Sequence, residues 1–452
     1  MSGQPKTEPV VVGSVADLIA FARAGEKPRA AFRVGTEHEK VGVRLRDLRP
    51  VPYAGEDGIA GLLADVARTD GWTPVREGET LIALEKDGAS ITLEPGGQLE
   101  LSGAPLVTIF ETCQEFHRHL DLIRRVSEPR GIAWLSLGAN PLHDVDDIPR
   151  VPKARYAVMR KYLPARGELA MHMMHLTATV QANLDYASEA DMVAKMRTAM
   201  GVSPLVSALF ANSSLYLGKP SGFISRRVHI WRYVDPDRCG MLPFVFEPDF
   251  GYERYVEWAL DVPMFFVLRD GRYLPGEGRT FRRFLAEGHA EGPATLQDWN
   301  LHLTTLFPEV RLKQFLEVRG ADAVPPELIC ALPALWKGLL YDDGAREAAW
   351  RLVADWPFPE REAALEAVAR RGLAAEVAGR PVLPLARELV AIARAGLVRI
   401  GDAGRDERDE RGFLDPLLAV AERGRSPGEE VLARWEGEWE RSPQRLIEYA
   451  RY

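Results

Sequence analysis

Residues 32–43 restrict the possible folds of this chain more than any other stretch, because their side chains alternate between two faces and predict a β-strand. Glu37 and Glu39 point to one face, whereas His38 and Lys40 point to the other and are expected to have structural roles. Two neighbouring carboxylates repel each other and cost stability unless a cation lies between them. Such oxygen ligands suit Mg²⁺ or Mn²⁺, and the alternative is a solvated strand at a sheet edge.

Other stretches share this pattern of apolar residues on one side and polar residues on the other. They are 81–102, with turns expected at 86–88 and 95–97, then 177–185, 225–231 and 311–319. A sheet with one face packed on helices and the other lining a wet cavity fits this pattern better than a sandwich does. Because the strands are spread among helices of unequal length, the sequence predicts an α+β fold and not a regular βαβ array.

Capping residues and amphipathic periodicity predict the helices. These are 14–24, 58–69, 105–130, 188–200, 345–355, 359–371, 385–396, 414–423 and 428–439. Ser14 is the expected N-cap of the first helix, with Asp17 at its third position. The chain is expected to form one catalytic unit, in which a sheet-containing core of residues 1–325 carries a helix-rich region of residues 326–452. The mixed-charge run 405–411 is expected to be a solvated loop or helix end.

Composition excludes several classes of protein. The formal net charge is −8 and no basic stripe stands out, which argues against nucleic acid as a partner. Three cysteines without a CxxC motif argue against a secreted disulfide framework and against zinc. Residues 1–9 lack the apolar core of a signal peptide, and no apolar run approaches the ~20 residues of a membrane span. A cytoplasmic protein is expected, as a monomer or a homodimer.

The polar faces of the predicted strands bring together carboxylates, cations and neutral hydrogen-bonding groups. The set comprises Glu37, Glu39, Glu85, Glu94, Glu100, Glu317, Arg155, Arg227, Lys313, Arg319, Gln98, Thr179, Gln181 and Asn183. Carboxylates bind Mg²⁺, which bridges nucleotide phosphates, and arginines bind phosphates and carboxylates through two parallel hydrogen bonds. Such a set suits phosphoryl transfer from ATP to an acid. A metal-dependent amide hydrolase would also use clustered carboxylates, but it would not need the arginines.

Four motifs give a resemblance to a known family: residues 35–40, 93–103, 179–185 and 307–322. The first reads Gly-Thr-Glu-His-Glu-Lys and the second Leu-Glu-Pro-Gly-Gly-Gln-Leu-Glu-Leu-Ser-Gly. Together they resemble glutamate–cysteine ligase of the plant-type branch that is also found in proteobacteria, from about residue 12 to the C-terminus.

The resemblance implies a glutamine-synthetase-like fold, in which a curved, largely antiparallel sheet forms a funnel-shaped active site. It also implies the first step of glutathione synthesis, with ATP, L-glutamate and L-cysteine as small-molecule substrates. ATP would phosphorylate the γ-carboxylate of glutamate, and the amine of cysteine would then displace phosphate to give γ-glutamylcysteine. A ligase that joins glutamate to a different amine would share the motifs for ATP, metal and glutamate.

The positions that match the family's motifs imply roles for residues of this chain. The implied Mg²⁺ ligands are Glu37, Glu39, Glu94, Glu100 and Glu317. Arg155 and Arg227 are implied to clamp the α-carboxylate of glutamate, with Trp231 nearby, and Lys313 and Arg319 to stabilise phosphate charge. Gln98 and Gln181 are further candidates for substrate binding. Glu85 fits better as a turn residue of its hairpin, and His229 as a hydrogen-bonded histidine of the core.

The resemblance also bears on the cysteines. Cys113 and Cys330 match positions where some plant relatives carry a disulfide, whereas two buried free thiols are the usual state in a cytosolic protein. Cys239 has no evident partner and is expected to be a free thiol. The hairpin near residues 273–293 lacks the cysteine pair of the plant relatives, so that redox switch is expected to be absent, and so is a plastid transit peptide.

Overall fold

The computed structural model describes residues 10–290, 292–402, 404 and 409–452. The helices are α1 Val15–Arg23, α2 Ile59–Asp70, α3 Ile109–Ser127, α4 Ala154–Tyr162, α5 Ala170–Leu176, α6 Glu189–Leu209, α7 Arg226–Trp231, α8 Tyr252–Asp261, α9 Phe281–Glu287, α10 Leu296–Leu303, α11 Pro326–Ile329, α12 Ala331–Leu340, α13 Asp343–Arg351, α14 Phe358–Arg371, α15 Val382–Ile400, α16 Asp415–Arg423, α17 Pro427–Glu436 and α18 Pro443–Ala450. The strands are β1 Val34–Arg44, β2 Thr73–Glu77, β3 Thr80–Lys86, β4 Ala89–Leu93, β5 Leu99–Ser102, β6 Ile132–Leu135, β7 Thr179–Leu184, β8 Leu215–Tyr216, β9 Lys219–Pro220, β10 Cys239–Gly240, β11 Phe266–Arg269, β12 Arg272–Pro275, β13 Phe307–Pro308, β14 Val310–Leu312, β15 Leu316–Asp322, β16 Glu376–Val377 and β17 Arg380–Pro381.

The predicted strand at residues 32–43 forms β1, which lies in the middle of the main sheet. The strand order is β14-β15-β7-β1-β5-β4-β3-β2, and β6 pairs with the second half of β1. All neighbours pair antiparallel, with Glu37 opposite Gln181 of β7 and Glu39 opposite Glu100 of β5. A large antiparallel sheet among many helices confirms the predicted α+β class.

One face of this sheet is packed on helices. Val180, Ala182 and Leu184 of β7 have no exposed surface, and they share a core cluster with residues of α6 and α12. The same cluster contains residues of α14, α15 and α16, so apolar contacts extend from the sheet into the C-terminal helices. The division of the chain at residue 325 stays a prediction. Among the described residues, no helix combines the length and apolar character needed to cross a membrane.

The far side of β1 holds an unusual polar pair. His38 and Lys40 have no exposed surface, and Lys40 Nζ lies 2.8 Å from His38 Nδ1. Burial holds the pKa of Lys40 and of His38 well below the ordinary values. The His38 ring packs edge-on against Phe116 of α3. The structure therefore confirms that these two side chains point away from Glu37 and Glu39.

The first helix begins as the sequence predicts, because Asp17 Oδ2 accepts hydrogen bonds from the backbone N–H groups of Gly13 and Ser14 at 2.8 and 3.0 Å. The predicted strand at 225–231 is wrong, since these residues form α7 after Ser225, whose hydroxyl caps the helix. Seven alternating residues are too few to separate a strand from a helix. The stretch 311–319 is not one strand but the β14–β15 hairpin.

Of two further predictions, the one that Glu85 belongs to its hairpin and not to the site is confirmed, and the one that residues 405–411 are solvated is wrong at Glu410. Glu85 is exposed on β3 and does not face the cavity described below, because β3 lies near the edge of the sheet. Glu410, in the run expected to be solvated, is 1% exposed. It accepts a hydrogen bond from the backbone N–H of Ile109 at 2.6 Å and lies 2.7 Å from Lys337 Nζ. A helix N-terminus and a buried ammonium group thus account for its burial. Residues 405–408 lie outside the described part.

Cys113 of α3 and Cys330, which precedes α12, form a disulfide in the structure, with Cα atoms 5.6 Å apart. Cys239 is a half-buried free thiol, as predicted. A reducing cytosol is predicted to oppose the bond. The bond closes a loop of 217 residues, and chain-entropy reasoning limits its stabilisation to about 5 kcal/mol.

Reduction of this disulfide is expected to lower the melting temperature, because the unfolded chain regains conformational freedom. The measurement is thermal unfolding of air-oxidised protein with and without a thiol reductant. Cys330→Ser should melt at the lower temperature and not respond to the reductant, whereas Cys239→Ser should respond as the wild type does. Recovery of only alkylated Cys113 and Cys330 in non-reducing peptide maps would contradict the bond.

Candidate active site

A polar cavity opens on the face of the sheet that is not covered by the core. Eleven of the predicted site residues line it: Glu37, Glu39, Glu94, Gln98, Glu100, Arg155, Gln181, Arg227, Trp231, Lys313 and Arg319. The twelfth, Glu317, has no exposed surface and pairs with two of them. Strands β1, β5, β7 and β15 carry half of these twelve residues, and helices α4 and α7 carry three more. The sequence therefore identified many of the residues that line this cavity.

Neutral hydrogen-bond donors hold three of the carboxylates in place. Glu37 accepts a hydrogen bond from Asn183 Nδ2 at 2.9 Å, and Glu39 accepts one from the backbone N–H of Thr179 at 3.1 Å. Glu100 accepts hydrogen bonds from the hydroxyls of Thr92 and Ser102 at 2.6 and 2.8 Å. These bonds fix the carboxylates without neutralising them.

Burial, together with repulsion between the carboxylates, raises the pKa values of Glu37 and Glu39. Burial and the nearby carboxylates of Glu317 and Glu100 raise the pKa of Glu37. Burial, Glu94 and Glu100 raise the pKa of Glu39 well above its ordinary value. A hard divalent cation would relieve this repulsion, and a set of carboxylate oxygens is the donor type that Mg²⁺ prefers. The residues present therefore fit a magnesium site.

Glu317 lies in a different electrostatic environment. Its oxygens accept hydrogen bonds from Arg311 Nη2 at 2.6 and 2.8 Å, and they pair with Lys313 Nζ at 3.0 Å and with Arg319. Burial alone would raise the pKa of Glu317, but these three cations hold it well below the ordinary value. One carboxylate among three cations leaves an excess of positive charge, which is the complement of a polyphosphate.

The two predicted clamp arginines reach the cavity from different helices. Arg227 of α7 is 3% exposed and donates a hydrogen bond from Nη2 to the backbone carbonyl of Arg319 at 2.9 Å. Its guanidinium lies 5.9 Å from the ring of Trp231. Arg155 of α4 is half-buried, with its guanidinium 5.6 Å from the ring of Phe266. Aromatic rings thus orient both guanidinium groups.

The glutamines differ in how much of their hydrogen bonding is already used. Gln98 donates to the carbonyl of Thr177 at 2.8 Å and accepts from the N–H of Gly96 at 2.9 Å, so it fastens the 95–97 turn. Gln181 accepts one hydrogen bond from Arg319 Nη1 at 2.9 Å. The geometry favours a structural role for Gln98 and leaves the amide nitrogen of Gln181 more available for a ligand.

Sequence reasoning assigned no role to three ionisable residues that line the same cavity: Lys153, Tyr156 and Arg311. Lys153 Nζ and the Tyr156 hydroxyl both donate to the carbonyl of Leu93, at 2.9 and 2.7 Å. Burial lowers the pKa of Lys153 to about 8. Lys153 ends an irregular Asp- and Pro-rich loop, where no periodic pattern indicates direction. Its proximity to Arg155 in sequence was the signal that could have found it.

His229 stays outside the cavity lining. Its ring stacks on Phe223 at a centroid distance of 4.0 Å, and Nδ1 lies 3.4 Å from Glu366 Oε2. These contacts confirm the prediction of a hydrogen-bonded core histidine, although α7 and not a strand gives it this direction.

The large antiparallel sheet, with helices on one face and a polar cavity on the other, defines a glutamine-synthetase-like fold. A crystal structure of glutamate–cysteine ligase from Francisella tularensis, in complex with AMP, has a TM-score of 0.56 against this chain. The two are 12% identical, and the alignment covers 93% of this chain and 87% of that one. At this identity the likeness concerns the fold alone.

Sequence comparison gives the family. The model of glutamate-cysteine ligase family 2 matches residues 33–448. The chloroplastic glutamate–cysteine ligase of Arabidopsis thaliana is 45% identical over 459 residues, covering 100% of this chain and 86% of the relative. That of Medicago truncatula is 44% identical, covering 100% of this chain and 89% of the relative. The chain belongs to glutamate-cysteine ligase family 2, whose reaction is the first step of glutathione synthesis.

Proposed function

We propose that this chain joins the γ-carboxylate of L-glutamate to the amine of L-cysteine through a γ-glutamyl phosphate. The γ-phosphoryl group of ATP passes to the γ-carboxylate, and ADP leaves. The cysteine nitrogen then attacks the activated carbonyl carbon, the nitrogen loses a proton, and the carbon–oxygen bond to phosphate breaks. The supporting observation is one cavity in which repelling carboxylates face a cluster of excess cations.

The carboxylates are proposed to hold magnesium through Glu37, Glu39, Glu94 and Glu100, with Glu317 as a further ligand. When bound, Mg²⁺ would neutralise the phosphate charge of ATP and orient the triphosphate. Glu317 already accepts hydrogen bonds from Arg311 and pairs with Lys313, so metal binding there requires these cations to share its oxygens.

The cations are proposed to bind two different anionic groups, the transferring phosphoryl group and the α-carboxylate of glutamate. Lys313 and Arg319 stabilise charge on the transferring phosphoryl group, since they lie on the side of the cavity next to Glu317. Arg155 and Arg227 bind the α-carboxylate of glutamate, with Trp231 packed beside Arg227. Held in this way, glutamate presents its γ-carboxylate for attack on the phosphorus.

Two other activities would use much of the same site. A glutamate ligase with another amine acceptor would share the ATP, metal and glutamate groups and differ in the amine pocket. A metal-dependent amide hydrolase would share the carboxylates, but the excess of cations around Glu317 disfavours it. The cytoplasmic location expected from the sequence stays a proposal, and the curated relatives above are named as chloroplastic.

The purified protein is expected to release ADP from Mg²⁺-ATP only when L-glutamate is present, with full turnover on adding L-cysteine. The measurement is a coupled ADP assay, repeated over a panel of amines that includes L-α-aminobutyrate, glycine and ammonia. Turnover with another amine and none with cysteine would reject cysteine as the acceptor. Amide hydrolysis without ADP release would reject ligation altogether.

A further inference from the structure

Asp322, at the end of β15, is a buried carboxylate that the proposed reaction does not use directly. It is 1% exposed and follows the irregularity in the pairing of β15 with β7. Its Oδ2 atom accepts hydrogen bonds from the backbone N–H of Asn212 and from the Ser213 hydroxyl, both at 2.7 Å. Its Oδ1 atom accepts one from the Ser225 hydroxyl at 2.9 Å. Three donors on two segments therefore converge on one side chain.

The hydroxyls of Ser213 and Ser225 also accept hydrogen bonds from α7, so they connect Asp322 to this helix. The Ser213 hydroxyl accepts a hydrogen bond from the backbone N–H of Arg227 at 3.0 Å. The Ser225 hydroxyl, the N-cap of the helix, accepts one from the backbone N–H of Val228 at 3.1 Å. Asp322 Oδ1 also lies 3.9 Å from Arg227 Nη1. Both the backbone and the guanidinium of Arg227 are thus tied to Asp322.

Helix α7 needs such an anchor, because it has only six residues. Helices this short are not stable by themselves, and their direction comes from tertiary contacts. Arg227 and Trp231, the two residues of α7 that line the cavity, point into it only while the first turn is held. The guanidinium of Arg227 gains a second hold from the Arg319 carbonyl at 2.9 Å.

Gly138 packs so closely against Asp322 that no side chain fits between them. A Cβ atom added at Gly138 would lie 2.4 Å from Asp322 Cγ and 2.5 Å from its Cβ. Any larger residue at Gly138 would therefore have to displace Asp322. The backbone N–H of Gly138 is bonded to the Asn212 carbonyl at 2.9 Å, so this loop cannot simply move away.

We propose that Asp322 is a positioning residue, which acts through Ser213 and Ser225 to aim Arg227 at the α-carboxylate of glutamate. This inference rests on the proposed function, because it assumes that Arg227 binds that carboxylate. Asp322 itself touches no substrate. Its loss should weaken glutamate binding and leave ATP binding and the chemical step nearly intact.

The test is steady-state kinetics of Asp322→Asn, which keeps the size but turns one acceptor oxygen into a donor. The KM for glutamate is expected to rise about tenfold or more, which corresponds to about 1.4 kcal/mol of lost binding free energy. The KM for ATP should change by less than about twofold and kcat by less than about threefold, the pattern of lost ground-state binding. Gly138→Ala should change the KM for glutamate in the same direction.

The matched control is Asp235→Asn. Asp235 is also 1% exposed and bound to an arginine, Arg238, at 2.6 Å, but it does not line the cavity. This variant should lose thermal stability and keep both KM values. If Asp322→Asn does not fold, Ser213→Ala removes only the relay to Arg227 and should still raise the KM for glutamate.

An unchanged KM for glutamate in Asp322→Asn overturns the inference. Where that variant does not fold, an unchanged KM for glutamate in Ser213→Ala overturns it. In both cases the proposed function stands as long as the wild type turns over. An equal rise in the KM for ATP, or the same rise in Asp235→Asn, also overturns it, because the effect would then be general loosening. If the wild type releases no ADP with glutamate, the proposed function fails and the inference fails with it.

Discussion

Glu39→Gln is expected to lower Mg²⁺-dependent turnover by about 100-fold or more, the scale of losing one electrostatic stabiliser of the transition state. Glutamine keeps the shape of the side chain and its hydrogen bond from the Thr179 N–H, but it removes the charge. Folding should be retained, because the charge raises the energy of the metal-free site instead of stabilising it. Glu37→Gln should behave in the same way. The measurement is kcat over a range of Mg²⁺ concentrations, beside circular dichroism and melting temperature.

The sign of the stability effect separates this prediction from simple damage. Burial and neighbouring carboxylates raise the pKa of Glu39, so the ionised form is disfavoured in the folded, metal-free protein. Removing that charge should leave the melting temperature unchanged or raise it in the absence of Mg²⁺. The control is Glu85→Gln, an exposed carboxylate on the same sheet, which should not alter turnover. Near-normal activity in both Glu37→Gln and Glu39→Gln would reject the metal assignment.

The parts of this site that sequence predicts are those with a local pattern. The direction of Glu37 and Glu39 follows from their spacing on β1 alone, and their opposition to Gln181 and Glu100 follows once the strands pair. The start of α1 follows from Ser14 and Asp17, since a capping box is complete within four residues.

The parts that sequence does not predict depend on distant partners. Helix α7 is read as a strand from its alternation, because its anchor is Asp322, about a hundred residues further along the chain. Glu85 shares the alternating pattern of its stretch but is exposed, because β3 lies near the edge of the sheet. Lys153 is bonded to the Leu93 carbonyl, and Glu410 to the Ile109 N–H and Lys337, in contacts that no periodicity indicates. Their environments are set by tertiary packing.

The family resemblance assigned a shared role where the polar pattern gave only a set of candidate residues. Arg155 and Arg227 lie on separate helices, and no spacing rule joins them, yet both line the cavity. The resemblance identified them as one group because it compares whole sites and not local patterns. It assigned no role to Arg311, whose Nη2 atom lies 2.6 Å from Glu317 Oε1.

Arg227→Lys is expected to raise the KM for glutamate by roughly 10- to 100-fold, the range that corresponds to losing a charged hydrogen bond of about 1.5–3 kcal/mol. A lysine keeps the charge but lacks the planar fork that binds a carboxylate through two parallel hydrogen bonds. Its shorter reach should also lose the bond to the Arg319 carbonyl, now 2.9 Å. The KM for ATP should change much less, because the triphosphate is proposed to lie against Lys313 and Arg319.

The control for this variant is Arg226→Lys, one residue earlier on the same helix. The guanidinium of Arg226 lies 3.7 Å from the ring of Tyr216, and Arg226 does not line the cavity. It should therefore keep the KM for glutamate while it tests whether any Arg-to-Lys change disturbs α7. Kinetics with glutamate varied at saturating ATP, and then the reverse, measure both variants. Equal increases for the two substrates in Arg227→Lys, or no increase at all, would show that Arg227 does not hold the α-carboxylate.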